Sequence, residues 1–289
     1  MSLKQIRLLR CWYRHDTDGN HACHTVQVMK YDIINYEVIG EGIPVLIIHG
    51  WGISSLTMKG AFEPVFTMLE GYKRFYIDLP GMGNSKRGDV RNSDDMLELL
   101  HEFAVNVIRD EFMIIGQSYG GLLTRGFVNR YPEMIKKIIL LVPCMIPGVR
   151  QGQVEPLTVV ERDDDFLATL SKEQYDSFTQ MNVLLTKEVW DRYEKYLIPA
   201  LNSADWDFLN NVLEGSFSFD VDDLKDPCQI PTLIIAAKQD CEVGYKDQFD
   251  LMSIYKNSTY CAVDKAGHNL QIEQPIVFEN LVRSWLNTH

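Results

Sequence analysis

Ser118 stands in the run Gly116-Gln117-Ser118-Tyr119-Gly120-Gly121, after the apolar stretch Phe112-Met113-Ile114-Ile115 and before Leu122, Leu123, Phe127 and Val128 at helical spacing. A free serine hydroxyl is a poor nucleophile at neutral pH. Chemistry at Ser118 therefore needs a base to take its proton, a carboxylate to orient that base, and donors to receive the oxyanion. A strand, a Gly-Ser-Gly turn and a helix are the context of a nucleophile elbow. The turn lifts the hydroxyl clear of a sheet at the cost of a strained backbone, and glycines two positions before and after remove the Cβ atoms that would clash. In open parallel sheets, reactive groups gather at the carboxyl ends of strands. Asp240, in Lys238-Gln239-Asp240, follows the apolar run 233–237, and His268, in Ala266-Gly267-His268-Asn269, follows the run 259–263. The chain order Ser118, Asp240, His268 suits a serine elbow served by a later acid and base. The other histidines fit less well. His101 falls within a long helical pattern, His15, His21 and His24 belong to the opening strands, and His289 is the last residue. His49 ends a strand but directly precedes Gly50, where it would shape the loop.

The elements that must position these groups alternate along most of the chain. Residues 5–13, 25–30 and 33–39 alternate apolar and polar side chains, with Asp16-Thr17-Asp18-Gly19 as a turn, and read as antiparallel strands. Pro44-Val45-Leu46-Ile47-Ile48 is continuously apolar, as a strand buried on both faces would be, and ends in His49-Gly50-Trp51-Gly52. A helix is expected over 61–69. A strand over 74–77 then leads into the glycine-rich loop Asp78-Leu79-Pro80-Gly81-Met82-Gly83-Asn84-Ser85. Ser93 is expected to cap an amphipathic helix reaching residue 108. The strand, elbow and helix around Ser118 follow, then an apolar strand over 135–142.

Strands alternating with helices predict a doubly wound, mostly parallel α/β sheet with antiparallel strands at its N-terminal side. From residue 146 the pattern turns helical and acidic, with candidate helices over 166–170, 172–183, 187–197 and 204–213. The sheet pattern resumes at 231–237, followed by a helix over 246–254, a strand over 259–263 and a last helix over 275–286. The expected organisation is a core made of residues 1–145 and 221–289, interrupted by a helical insertion at 146–220.

The formal net charge of −12 disfavours nucleic acid and anionic membrane as partners. Cys11, Cys23, Cys144, Cys228, Cys241 and Cys261 have no close, regular spacing and read as reduced thiols. Lys4, Arg7, Arg10 and Arg14 interrupt the apolar core a signal peptide would need, and no run is long enough to cross a bilayer, so a cytoplasmic protein is expected. Cys11, His15, His21, Cys23 and His24 match no usual zinc spacing, and neighbours on a strand face opposite sides. Hairpin residues are the better reading there.

Together, His49-Gly50-Trp51-Gly52, Asp78 to Ser85, Gly116 to Gly121, Gln239-Asp240, Gly267-His268 and the tail Glu273-Gln274-Pro275 resemble the α/β-hydrolase family over nearly the whole chain. That resemblance implies a triad of Ser118, His268 and Asp240, an oxyanion hole formed by the backbone amides of Trp51 and Tyr119, and a lid at 146–220. It implies no cofactor and no metal. A serine at the elbow argues against the aspartate-dependent dehalogenases and epoxide hydrolases of this fold. A carboxylesterase acting on a small soluble acyl substrate is the broadest fit. Carbon-carbon hydrolases of the meta-cleavage type commonly carry Trp after the histidine, where Asn269 stands here. A proline iminopeptidase would need carboxylates in the lid for a substrate ammonium, and Glu155, Glu161, Asp163, Asp164 and Asp165 are available. A ligand receptor without turnover is the reading from a different functional class. Oligomeric state is not legible.

Overall fold

The computed structural model describes residues 8–12, 24–148 and 154–289. The strands are β1 (Leu8–Trp12), β2 (His24–Tyr31), β3 (Ile34–Ile39), β4 (Ile43–Ile48), β5 (Tyr72–Ile77), β6 (Phe112–Gln117), β7 (Ile135–Leu141), the two-residue β8 (Glu161–Arg162) and β9 (Leu184–Leu185), β10 (Thr232–Ala237) and β11 (Ser258–Val263). Nine of them form one sheet in the order β1-β2-β3-β5-β4-β6-β7-β10-β11. The β1-β2, β2-β3 and β3-β5 pairs are antiparallel, and every pair from β5 to β11 across the sheet is parallel. The expected turn at 16–19, and His15, His21 and Cys23, lie outside the described residues.

Period-two alternation on fully buried strands builds two cores, one on each face. On β4, Leu46 and Ile48 pack with α2 (Ser93–Phe103) and α3 (Tyr119–Arg130), while Val45 and Ile47 pack with α1 (Ser55–Phe66) and α11 (Pro275–Thr288). All six residues of β6 are buried. At about 1.5–3 kcal/mol per buried aliphatic side chain, these central strands set the register of everything attached to their ends.

Between β7 and β10 the chain forms a helical block: α4 (Asp164–Leu167), α5 (Lys172–Thr179), α6 (Lys187–Arg192), α7 (Ile198–Asn202) and α8 (Trp206–Asn211). The block has its own apolar cluster, including Phe178, Val183, Leu185, Trp190 and Tyr193. A five-residue π-helical turn, Tyr193–Leu197, joins α6 to α7. The chain closes with α9 (Lys246–Asp250) and α10 (Leu270–Glu273) ahead of α11.

Several boundaries differ from expectation. Ser93 is not the cap of α2: Asn92 is, its side chain accepting from the Asp95 amide at 2.9 Å. Two cap-competent residues in a row make that choice invisible to pattern. The helix expected at 61–69 begins at Ser55 and ends at Phe66, two residues after Pro64. The helix expected at 172–183 stops at Thr179, and Leu184–Leu185 instead pairs in parallel with Glu161–Arg162.

Candidate active site

The loops at the carboxyl ends of β4, β6, β10 and β11 converge. Ser118 follows β6 with φ 53° and ψ −116°, in the region that favours glycine, and is 9% exposed. Its strain is held by backbone bonds on both sides. Its N–H donates to the Leu141 carbonyl at 3.0 Å, and its own carbonyl accepts from Gly121, Leu122 and Cys144 at 2.9, 3.2 and 2.9 Å. The flanking glycines matter sterically. A Cβ on Gly116 would run into the Gly120 carbonyl and Thr124 Oγ1, and one on Gly120 into the carbonyls of Ile48 and His49. Val142, fully buried just beyond β7, also has a positive φ of 39°. Left-handed backbone in a serine and a β-branched residue persists only where surrounding packing imposes it.

His268 Nε2 lies 2.9 Å from Ser118 Oγ, and His268 Nδ1 lies 2.8 Å from Asp240 Oδ2. With Nδ1–H donating to Asp240, Nε2 is left as acceptor for the serine hydroxyl. Asp240 is wholly buried, and its other oxygen accepts from the amides of Glu242 and Val243 at 2.8 and 3.0 Å. Burial alone would pull His268 down. The charge and hydrogen bond of Asp240, with further contributions from Glu242 and Glu273, outweigh it, and His268 rests above its ordinary value of 6.5.

His49 is held neutral and structural. Burial depresses it. Its Nδ1–H donates to the Gly50 carbonyl at 2.7 Å and its Nε2 accepts from the Leu79 amide at 2.9 Å. The ring thereby fastens the Trp51 loop to the loop after β5. That second loop is shaped by Asp78, whose carboxylate accepts from the amides of Ser55 and Asn84, each at 2.9 Å. Tyr119 opens α3, where the first amides of a helix have no intrahelical partner. The Trp51 and Tyr119 rings meet edge to face at 5.0 Å. From the helical block, Trp206 packs where a Gly52 Cβ would stand, Phe208 does the same at Gly81, and the Trp51 ring borders Gly215.

Ser118, Asp240, His268, Trp51 and Tyr119 are thus neighbours, although up to 217 positions separate them in sequence. Three participants escaped sequence reasoning. Ser93 Oγ, read as a cap, meets Tyr119 Oη at 2.8 Å and donates to the Gly215 carbonyl at 2.8 Å. Gln117 is 2% exposed, and its Oε1 has no hydrogen-bond partner among the described residues. Glu273, noted only as part of a tail, is buried beside Gly267. Each is placed by tertiary packing, and only the position of Gln117 directly before Ser118 could have drawn attention.

The profile of the alpha/beta hydrolase fold family matches residues 43–275. The chain belongs to that family. It is 23% identical over 258 residues to a pimeloyl-[acyl-carrier protein] methyl ester esterase of Aeromonas hydrophila, covering 88% of this chain and 99% of that one. Over 257 residues it is 23% identical to a 2-hydroxy-6-oxo-6-(2'-aminophenyl)hexa-2,4-dienoic acid hydrolase of Metapseudomonas resinovorans, covering 87% of each. A shorter match, 32% identical over 117 residues, spans 41% of the Shewanella woodyi esterase of the first type. Among solved structures, an alpha/beta superfamily hydrolase from Oenococcus oeni PSU-1 superposes with a TM-score of 0.79 at 26% identity, over 88% of this chain and 96% of the other. Among the described residues, no helix is long and apolar enough to cross a membrane.

Proposed function

We propose that this hydrolase is a serine carboxylesterase acting on a small soluble acyl ester through a covalent acyl-enzyme. The observation that carries the reading is the unbroken hydrogen-bonded line from Ser118 Oγ through His268 to Asp240, at 2.9 and 2.8 Å. His268 takes the Ser118 proton as Oγ attacks the ester carbonyl. Asp240 holds the imidazole tautomer and stabilises the imidazolium. The oxyanion falls to the backbone N–H groups of Trp51 and Tyr119, which a family elbow aims at that point. The imidazolium then gives its proton to the departing alcohol. Water, activated by the same histidine, releases the acid.

The block at 146–220 serves as a lid, and its charge narrows the substrate. Six basic and fourteen acidic side chains give it a net −8. That field opposes an anionic ester or an acidic carrier and favours a neutral or cationic one. The esterase relatives are named for a methyl ester, which agrees with a small leaving alcohol. The dienoic acid hydrolase relative supports a second reading, carbon-carbon bond cleavage by the same triad. That relative is named for an acid, an anion at neutral pH that the negative block opposes, so the ester reading stands first.

Ser118→Ala is expected to fold as the parent does and to abolish hydrolysis of p-nitrophenyl acetate. Turnover retained by the purified variant would sink the triad. Assaying esters beside a dienoate ketone separates the two readings. Because the neutral imidazole is the base, kcat/KM should fall as pH drops through the His268 titration, which lies above 6.5. A flat profile from about pH 5 to 9 would exclude His268 as that base.

A further inference from the structure

A second buried acid stands against the triad. Glu273, the last residue of α10, is 4% exposed. Its Oε1 accepts from the amides of Val183 and Leu184 at 2.5 and 3.1 Å, and its Oε2 accepts from the amide of Gly267 at 2.6 Å. Val183 and Leu184 belong to the lid, and Gly267 immediately precedes His268. Two more bonds cross the same seam. Asn269 Nδ2 donates to Asn182 Oδ1 at 2.9 Å, and Arg192 Nε donates to the Ile272 carbonyl at 2.7 Å. Ile272 itself packs within the lid's apolar cluster.

A carboxylate presents two oxygens and no donor, so it can receive three converging amides. A glutamine would turn an NH₂ toward one of them, and an aspartate would fall about one carbon short. We propose that Glu273 is a positioning residue for the reaction, clasping the lid turn at Val183–Leu184 to the loop that carries His268 so that lid and base are held as one unit. The proposal rests on the triad reading.

Charge adds a second consequence. Burial pushes Glu273 up to about 7, against the three amide bonds that favour its anion and with help from Asp240. The ionisable groups around this seam are Asp240, Cys241 and Glu242 after β10, His268 on the clasped loop, and Arg192 on the lid. The negative charge of Glu273 contributes to holding His268 up. Without that charge, His268 gives up its proton at a lower pH.

The test is the pH dependence of kcat/KM for p-nitrophenyl acetate in wild type, Glu273→Gln, Glu273→Asp and Ser118→Ala, with thermal melts of each. Glu273→Gln is expected to lower kcat about tenfold through misplacement of the base. It should also move the acid limb down by about half a pH unit or more. Glu273→Asp should lose a similar factor in kcat while its acid limb stays near the wild-type position. A folded Glu273→Gln with an unmoved limb overturns the proposal, even if its Tm falls, because a purely structural tie would do no more. Should Glu273→Gln fail to fold, wild-type kcat in Glu273→Asp overturns it, and a tenfold loss with an unmoved limb supports it. Turnover in Ser118→Ala sinks the triad itself. An inactive Ser118→Ala beside wild-type behaviour in the Glu273 variants sinks only the clasp.

Discussion

The sheet-end loops and the helical block are held in place by different means. The Ser118 turn is fixed by backbone, through the strand registers on either side of β6 and the four bonds of the Ser118 peptide. The block has its own apolar cluster and meets the His268 segment through a few side-chain bonds from Glu273, Asn182 and Arg192. Backbone fixing puts reacting atoms within tenths of an ångström and tolerates little change. Side-chain fastening can be rebuilt residue by residue, so one core can be paired with many covers.

If that contrast is right, damage should scale with the kind of fastening removed. The largest effect is expected from Asp240→Asn, which leaves the loop bonded but offers Nδ1–H a poorer partner and the wrong tautomer. A loss of about 10⁴ in kcat follows, measured by steady-state ester hydrolysis. A loss under tenfold would mean that Asp240 does not orient the His268 imidazole for the reaction. Next comes Gly120→Ala, whose Cβ would strike the carbonyls of Ile48 and His49. Both sit at the buried carboxyl end of β4, which cannot give way, so a destabilisation of about 3 kcal/mol or more is expected in urea titration. A near-neutral result would mean that the elbow is less rigid than its bonds imply.

On the block side, Glu273 supplies a pH-dependent term. Its folded value of about 7 lies above its ordinary 4.5, so the folded state binds the proton more tightly. The associated stability is complete below pH 4.5 and is lost as pH rises through 7, about 3 kcal/mol in all. The urea midpoint of the wild type should therefore drop between about pH 5 and 8, and Glu273→Gln should flatten that drop. Equal slopes in the two proteins would refute the linkage. The smallest effect is expected from Asn182→Ala. It removes the donor to the Phe178 carbonyl and the acceptor for Asn269, at about 1–3 kcal/mol with kcat nearly unchanged.

The same contrast explains what sequence could reveal. Apolar strands bounded by glycine-rich loops announce themselves, and the positions just past them pointed to Ser118, Asp240 and His268 because strand ends are where an α/β sheet places its chemistry. The block was legible as helical and acidic, but its internal joints were not. The helix expected through residue 183 stops at Thr179, and the Val183 and Leu184 amides go to a carboxylate about ninety residues away. No local pattern encodes a bond of that range. Ser93 was misread for the same reason, because its hydroxyl serves Tyr119 and Gly215 instead of its own helix.

The Ser118 carbonyl carries a practical consequence for anyone recombining this scaffold. One of its three partners is the amide of Cys144, which lies past β7 on the way into the block. The strained Val142 peptide just ahead of it is anchored to Ile235 on β10. A chimera spliced at the end of β7 would replace residues that brace Ser118, and the donor block would be blamed for a failure of the host. Crossovers placed after Cys144 would leave that brace native and let foreign covers be compared on substrate preference alone.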